Sequence, residues 1–377
     1  MARIFRLLPL VLAAIASAVT GVVSATQWTV DNSPNSPGQY TSLQDAIDNA
    51  ASWDTLLITG TNITYGTVVI SQPITLIGAG YNPNALETIV DQLTLLSSDV
   101  FISGLHGGIL FDLENADGDT LANITITRCR LENPGINFYA SSQAGAGRLI
   151  DIDIYNNVIG QFGFNGCFTQ NQMRFDSLLF ANNIASRFTL SGGCVPQFQG
   201  TETFIIDHNL FIGYSGACTI GVDQLCGIFS DQFGNSAWTN SSAILSNNIF
   251  HLQSNGGIRG CGNCTWFNNI TTTTGGGNDS IPGTPLGNEN QWSIDPASVL
   301  VNYAGGVFDW GHDYSLQVAS TAINAASDGS DIGISGGQHP YVIGAPPHGP
   351  VIEYFNVDGS AIEINGDVII NFRAYGR

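Results

Sequence analysis

The chain has 377 residues, with 30 acidic side chains against ten basic ones, a formal net charge of −20, 45 glycines, 14 prolines and seven cysteines; all ten basic residues are arginine. A surface this negative repels phosphate backbones and anionic lipid, which excludes nucleic acid and charged membranes as partners by sign alone. Beyond the N-terminus no apolar run is long enough to span a bilayer, and a glycine-rich, heptad-free composition excludes long helices.

Residues 1–25 have the layout of a secretory signal peptide: Arg3 and Arg6 form a basic start, 7–18 an apolar stretch, and Val23-Ser24-Ala25 a small-residue cleavage site. The mature chain then begins near Thr26, with eight arginines against 30 acids, a net charge of 8 − 30 = −22. No cysteine sits near the cleavage site, which argues against a lipid anchor. The expected product is a monomeric protein secreted to the extracellular space with no membrane span.

Residues 26–52 predict a first strand at 26–30 and a short helix near 40–47, with Leu43, Ala46 and Ile47 on one face and Ser42 or Thr41 as its cap. Residues 53–338 predict a run of short strands at 55–59, 67–70, 74–78, 100–103, 124–127, 152–155, 178–181, 204–206 and 244–246. Each is rich in β-branched or aromatic residues and bounded by Gly, Asn or Asp. Asn157, Asn183 and Asn209 stand 26 residues apart, each closing a similar phrase (IDIYNN, SLLFANN, FIIDHN), and Asn248 and Asn269 follow after 39 and 21 residues. Constant turn chemistry on coils of variable length is the signature of a solenoid.

The fold class is therefore all-β: a parallel β-solenoid of ten or eleven coils, about 50 Å long at roughly 4.8 Å per coil. The helix is expected to cover its open N-terminal end. The ladder asparagines are expected to take the left-handed backbone of a tight corner and to bond the equivalent amide one coil on. The residues before them (Asn156, Asn182, His208, Asn247, Asn268) are expected to face water. The glycine-rich stretch 322–337 is expected to be the closing coil and its cap, and residues 339–377 a proline-rich linker (Pro340, Pro346, Pro347, Pro350) followed by terminal β-strands.

Cys129, Cys167, Cys194, Cys218, Cys226, Cys261 and Cys264 are odd in number, so at least one stays unpaired. Cys167, Cys194 and Cys218 fall ten, eleven and nine residues after their ladder asparagines, which suits structural roles on successive coils. Arg148 and Arg174, each nine residues before a ladder asparagine, are expected on adjacent coils near Asp151, Asp153 and Asp176. That cluster is the candidate catalytic or saccharide-binding groove, and paired carboxylates there suit glycoside hydrolysis if their separation is right. Phe162, Phe164, Phe168 and Phe175 are either exposed sugar-stacking aromatics or core. Asp117 with Asp119, and Asp328 with Asp331, resemble fragments of Ca²⁺ loops but lack a full set of spaced oxygen ligands. Ca²⁺ is thus the one cofactor they suggest, with Asp-Gly turns as the competing role.

The opening phrase SPGQYTSLQDAIDNA, the text ITLIGAGYNPN and the closing phrase DGSDIGISGGQHPY make residues 27–357 resemble secreted bacterial right-handed parallel β-helix proteins of the pectate-lyase-like superfamily. The resemblance implies a right-handed parallel β-helix as the fold, export and contact with polysaccharide. Lyases of that superfamily use an arginine or lysine base and often Ca²⁺; this chain has no lysine. FIIDHN, containing Asp207 and His208, is similar to their aromatic-Ile-Asp-His phrase, but the companion Arg-Pro-Arg motif is missing. The paired-aspartate, Gly-His-Gly and Arg-Ile-Lys phrases of polygalacturonase-type hydrolases are missing too. The expected function is binding of extracellular or cell-wall polysaccharide, or a surface structural or adhesive module. The alternative is a polysaccharide lyase or glycoside hydrolase acting on an acidic polysaccharide.

Overall fold

Strands of four or five residues separated by tight corners are too short to fold back on themselves, so each pairs with its equivalent one coil on. The computed structural model describes residues 25–34, 38–82, 84–113, 115–116, 120–132, 135–139, 147–165, 174–186, 188–190, 203–212, 230–231, 243–252, 264–273, 289–303, 308–344, 351–358 and 369–375. These pairings build three all-parallel sheets of 11, nine and seven strands, the faces of a right-handed parallel β-helix.

The 11-stranded front sheet runs in chain order through Gln27–Val30, Thr55–Ile58, Ile74–Ile77, Val100–Ser103, Thr120–Thr127, Arg148–Tyr155, Ser177–Ala181, Thr203–Asp207, Ile244–Ser246 and Thr265–Phe267, with Arg174–Phe175 as an eleventh strand paired to the start of Arg148–Tyr155. Nearly all the strands expected from sequence belong to this one sheet. The nine-stranded side sheet holds many strands of only two or three residues, such as Val158–Ile159 and Ile184–Ala185, too short to show any period. The seven-stranded back sheet starts at Thr67–Ile70.

Register carries like residues over like. Leu56, Leu76, Ile102, Ile126, Ile154, Phe180, Ile206, Leu245 and Trp266 form one inward column, all buried. Phe111 stacks on Phe138 at 4.5 Å and Phe211 on Phe250 at 4.8 Å. Phe162 and Phe175, weighed above as exposed aromatics, are part of this core. Phe168 and the Phe164 side chain lie outside the described residues, as do residues 1–24.

The helix Leu43–Asn49 is capped by Ser42, whose hydroxyl accepts the Asp45 N–H at 3.2 Å, and it buries Leu43, Ala46 and Ile47 in the core, as expected. It also closes an open sheet edge. The Gln44 amide accepts from Val69 N at 2.8 Å and donates to Val69 O at 3.1 Å, standing in for the missing backbone of a preceding strand.

Past Gln291–Ile294 the chain leaves the coils. Leu300–Asn302 pairs antiparallel with Asp313–Leu316, and residues 317–344 then run back along the side sheet toward the N-terminal end. The expected closing coil is instead a strap. Outward side-sheet residues Val158, Ile184, Leu210, Ile249 and Ile270 are buried beneath Val299, Leu300, Tyr303, Tyr314, Ala322, Ile332 and Ile334, so this sheet is apolar on both faces. The terminal strands pair as an antiparallel hairpin, Val351–Asp358 with Ile369–Tyr375. Among the described residues no helix is long and apolar enough to cross a membrane.

Candidate functional site

Passing from front sheet to side sheet in two residues requires a left-handed backbone at the first of them. Gly104, Arg128, Asn156, Asn182, His208, Asn247, Asn268 and Glu289 supply it, at φ between 51° and 73°. This corrects the expectation that the ladder asparagines themselves are left-handed: the strained position lies one residue earlier. Those earlier residues also do not face water. Asn156, Asn182, His208, Asn247 and Asn268 are 7, 1, 1, 2 and 8% exposed.

The ladder asparagines point inward and stack as expected. Asn157 donates Nδ2–H to Asn183 Oδ1 at 3.0 Å, Asn183 to Asn209 at 3.1 Å, Asn209 to Asn248 at 3.0 Å and Asn248 to Asn269 at 3.0 Å. Each also donates back to a carbonyl of the preceding coil, as Asn183 does to Ile154 O at 2.9 Å. A sixth rung, Asn290, accepts from Asn269 at 3.0 Å. Its sequence signal is the pair Glu289-Asn290, 21 residues after Asn268-Asn269, but without the usual apolar phrase before it. Toward the other end Cys129 occupies the rung, its backbone N–H donating to Asn157 Oδ1 at 2.9 Å, and burial pushes its thiol up to about 12. Cys129 is free and Cys264 is disulfide-bonded; the other five cysteines lie outside the described residues.

The strap docks on the left-handed column. Asn268 donates to Ala325 O at 2.9 Å, Asn247 exchanges bonds with Ser327 at 3.0 and 2.8 Å, and Asn182 donates to Gly336 O at 2.8 Å. His208 bonds Asp207 through Nδ1 at 2.8 Å and Ser330 Oγ through Nε2 at 3.1 Å. This is the order of an acid–base–nucleophile relay. Its hydroxyl is otherwise engaged: Ser330 Oγ donates to Asp328 Oδ1 at 2.6 Å and accepts from Gly337 N at 2.9 Å, and Gly337 lies against the imidazole. Asp207 and His208 therefore anchor the strap.

The predicted arginine–aspartate cluster lies on the front sheet's outer face. Arg148 is in register with Arg174 on the next coil and forms an ion pair with Asp176. Asp151 is left-handed (φ 51°), like Asn123 and Asp99 on the two coils before it, and Asn123 donates to Asp99 at 2.8 Å. Asp153 stands farther along the strand in an outward column with Phe101, Thr125, Leu179, Ile205 and Ile244, all half-buried. Burial raises the Asp153 carboxyl, the Asp151 charge raises it further, and His339 opposes both. Tyr155, two residues on, is stacked by the His339 imidazole at 4.2 Å and 21°. Its phenol is pushed up by burial and by Asp153, against Arg128 and a hydrogen bond with Thr127.

The two ends of this strand thus carry different groups: Arg148 with Asp176 at one, and Asp151, Asp153, Tyr155 and His339 toward the other. Sequence reasoning missed Tyr155 and His339, because only the returning strap brings His339 here. The arrangement offers a carboxyl inclined to keep its proton, an exposed carboxylate beside it, and a flat ring pair.

Asp117 and Asp119 lie outside the described residues. Asp328 Oδ1 accepts Ser330 N at 2.9 Å and Asp331 Oδ1 accepts Asn324 N at 2.9 Å, both closing strap turns. Among the described residues no group of three or more His, Cys, Asp and Glu side chains is placed to hold a metal ion. No family model matches the chain, and no curated protein matches its sequence.

Proposed function

We propose that this is a secreted β-helix protein, related to the pectate-lyase-like superfamily, that binds extracellular or cell-wall polysaccharide along the outer face of its front sheet. The observation that carries the reading is the stacked Tyr155–His339 pair beside Asp151 and Asp153 on a half-buried apolar column. Sugar rings present C–H faces to flat rings and hydroxyls to carboxylates, and this face supplies both. The leader sequence and the disulfide at Cys264 support export to an oxidising compartment.

The raised Asp153 carboxyl favours one second reading, a glycoside hydrolase with Asp153 as proton donor and Asp151 as the second carboxyl group. One screen separates the readings. Signal-free protein is incubated with uronate-containing and neutral polysaccharides, with and without Ca²⁺, and bound glycan, reducing ends and unsaturated products are followed. Binding without cleavage, weakened at least tenfold by Tyr155→Ala with His339→Ala, is the expected result. New reducing ends lost in Asp153→Asn favour the hydrolase. Unsaturated products abolished by Arg148→Ala with Arg174→Ala favour a lyase. No binding to any glycan leaves a structural or adhesive rod and sinks the proposal.

A further inference from the structure

The Asp54 carboxylate, on a residue 2% exposed, lies where the first coil begins and receives three N–H groups. Thr26 N approaches Oδ1 at 2.6 Å, while Trp28 Nε1 and Ala51 N approach Oδ2 at 2.8 and 2.9 Å. Burial pushes this carboxyl up, but the bonds from Trp28, Thr26 and Ala51 outweigh it and hold it below the usual carboxylate range. The Thr26 carbonyl in turn accepts Thr55 N at 2.9 Å. Among the described residues, bonds into the coil therefore begin at Thr26, and Ala25 before it is exposed. Thr26 is also the residue that directly follows the Val23-Ser24-Ala25 cleavage signal.

We propose that Asp54 is the receptor for the α-ammonium group created on Thr26 by cleavage after Ala25, so that removal of the leader completes the first coil. This rests on reading residues 1–25 as a leader. Water hydrolyses the Ala25–Thr26 peptide bond; Ala25 leaves as a carboxylate, and the Thr26 nitrogen takes up protons to become an ammonium. The nitrogen stays beside Oδ1, and a neutral amide donor becomes a charged one facing a carboxylate. The amide's bond is already charge-assisted through its carboxylate acceptor, and the ammonium adds the direct attraction of two opposite charges. Of the three donors meeting Asp54, Thr26 alone gains charge by processing. The leader-bearing chain thus has a weaker first coil than the exported product.

The experiment has two readouts. Intact mass and N-terminal sequencing of the exported full chain are expected to show Thr26 as the first residue; a different first residue overturns the assignment. Thermal unfolding of that processed protein is then compared, from about pH 7 to about pH 10, with the same protein acetylated at its α-amine and with Asp54→Asn. An α-ammonium paired with a carboxylate titrates above its free value of about 7.7–8.0, so its stabilisation is complete below that value and is lost as pH rises through the folded one. The free form should lose about 1–3 °C more than the acetylated form over this range. Identical curves overturn the receptor role even if the leader is cut after Ala25. The acetylated protein keeps the test valid if Asp54→Asn does not fold.

Discussion

Tyr81 donates its hydroxyl proton to the Tyr341 hydroxyl at 2.8 Å, joining residues 260 apart in the chain. Burial raises both phenols far above their ordinary value, so both stay protonated across the ordinary pH range. The bond pins the far end of the strap near the N-terminal coils. Tyr341→Phe leaves the buried Tyr81 hydroxyl without its acceptor and is expected to cost about 1–2 kcal/mol in urea unfolding. A loss within error would mean that water or another acceptor replaces Tyr341.

Gly337→Ala tests strap docking from the middle. Gly337 has φ +74°, and a Cβ there would sit 2.9 Å from His208 Nδ1. The expected result is faster hydrogen exchange across residues 325–344 with protection of the ladder coils retained. Loss of protection throughout would show that strap and coils fold as one unit.

The ladder should respond by depth. Asn183→Ala removes the acceptor of both Asn157 donors, its N–H at 3.0 Å and its side-chain amide at 3.0 Å, and the donor to Ile154 O. A cost of about 2–4 kcal/mol is expected. Asn183→Asp should be worse, since it buries a charge where a donor is needed. Asn290→Ala, at the part-buried last rung, should cost about half as much or less. Equal costs at the two rungs would argue against stacked amides as the source of stability.

His251 predicts an acid-sensitive step. Its Nδ1 meets Thr272 Oγ1 at 2.9 Å, Tyr303 packs on the ring at 4.7 Å, and burial lowers its pKa to about 4. The folded state therefore prefers the neutral ring while the unfolded chain takes up a proton near 6.5. Stability is complete above about 6.5 and falls as pH drops toward about 4, by on the order of 3 kcal/mol. In His251→Gln the extra slope across that window should vanish; an unchanged slope would assign it to carboxylates.

Asp153 has the opposite sign from most carboxylates. Its folded pKa is raised by burial and by Asp151, so the stability it contributes is complete below the unfolded value and is lost as pH rises through the folded one. Asp153→Asn is expected to stabilise the protein slightly at neutral pH, with the gain gone below about pH 4. Combined with weakened glycan binding or lost cleavage, this would mark a group kept for function at a cost in stability. A destabilised variant would make it a structural carboxylate.

The parallel β-helix was legible because its information is local and repeated. The front-sheet strands, the inward Leu43, Ala46 and Ile47 of the capping helix, and five of the six ladder asparagines each follow from residue type and spacing. The Arg148–Arg174 register followed from counting residues back from the ladder. Two-residue side-sheet strands escaped, since a strand that short carries no period. What the sequence could not disclose is the path of residues 300–344. Whether a glycine-rich stretch ends a rod or returns along it depends on which outward faces are left apolar, and that is known only once every coil has chosen its register. The same return brings His339 onto Tyr155 and Ser330 onto His208, turning polar corners into a buried seam. Composition and spacing thus determined the repeating unit, through local backbone sterics and side-chain stacking. The tertiary structure decided which face was covered and which stayed uncovered, because that choice rests on contacts between residues far apart in the chain.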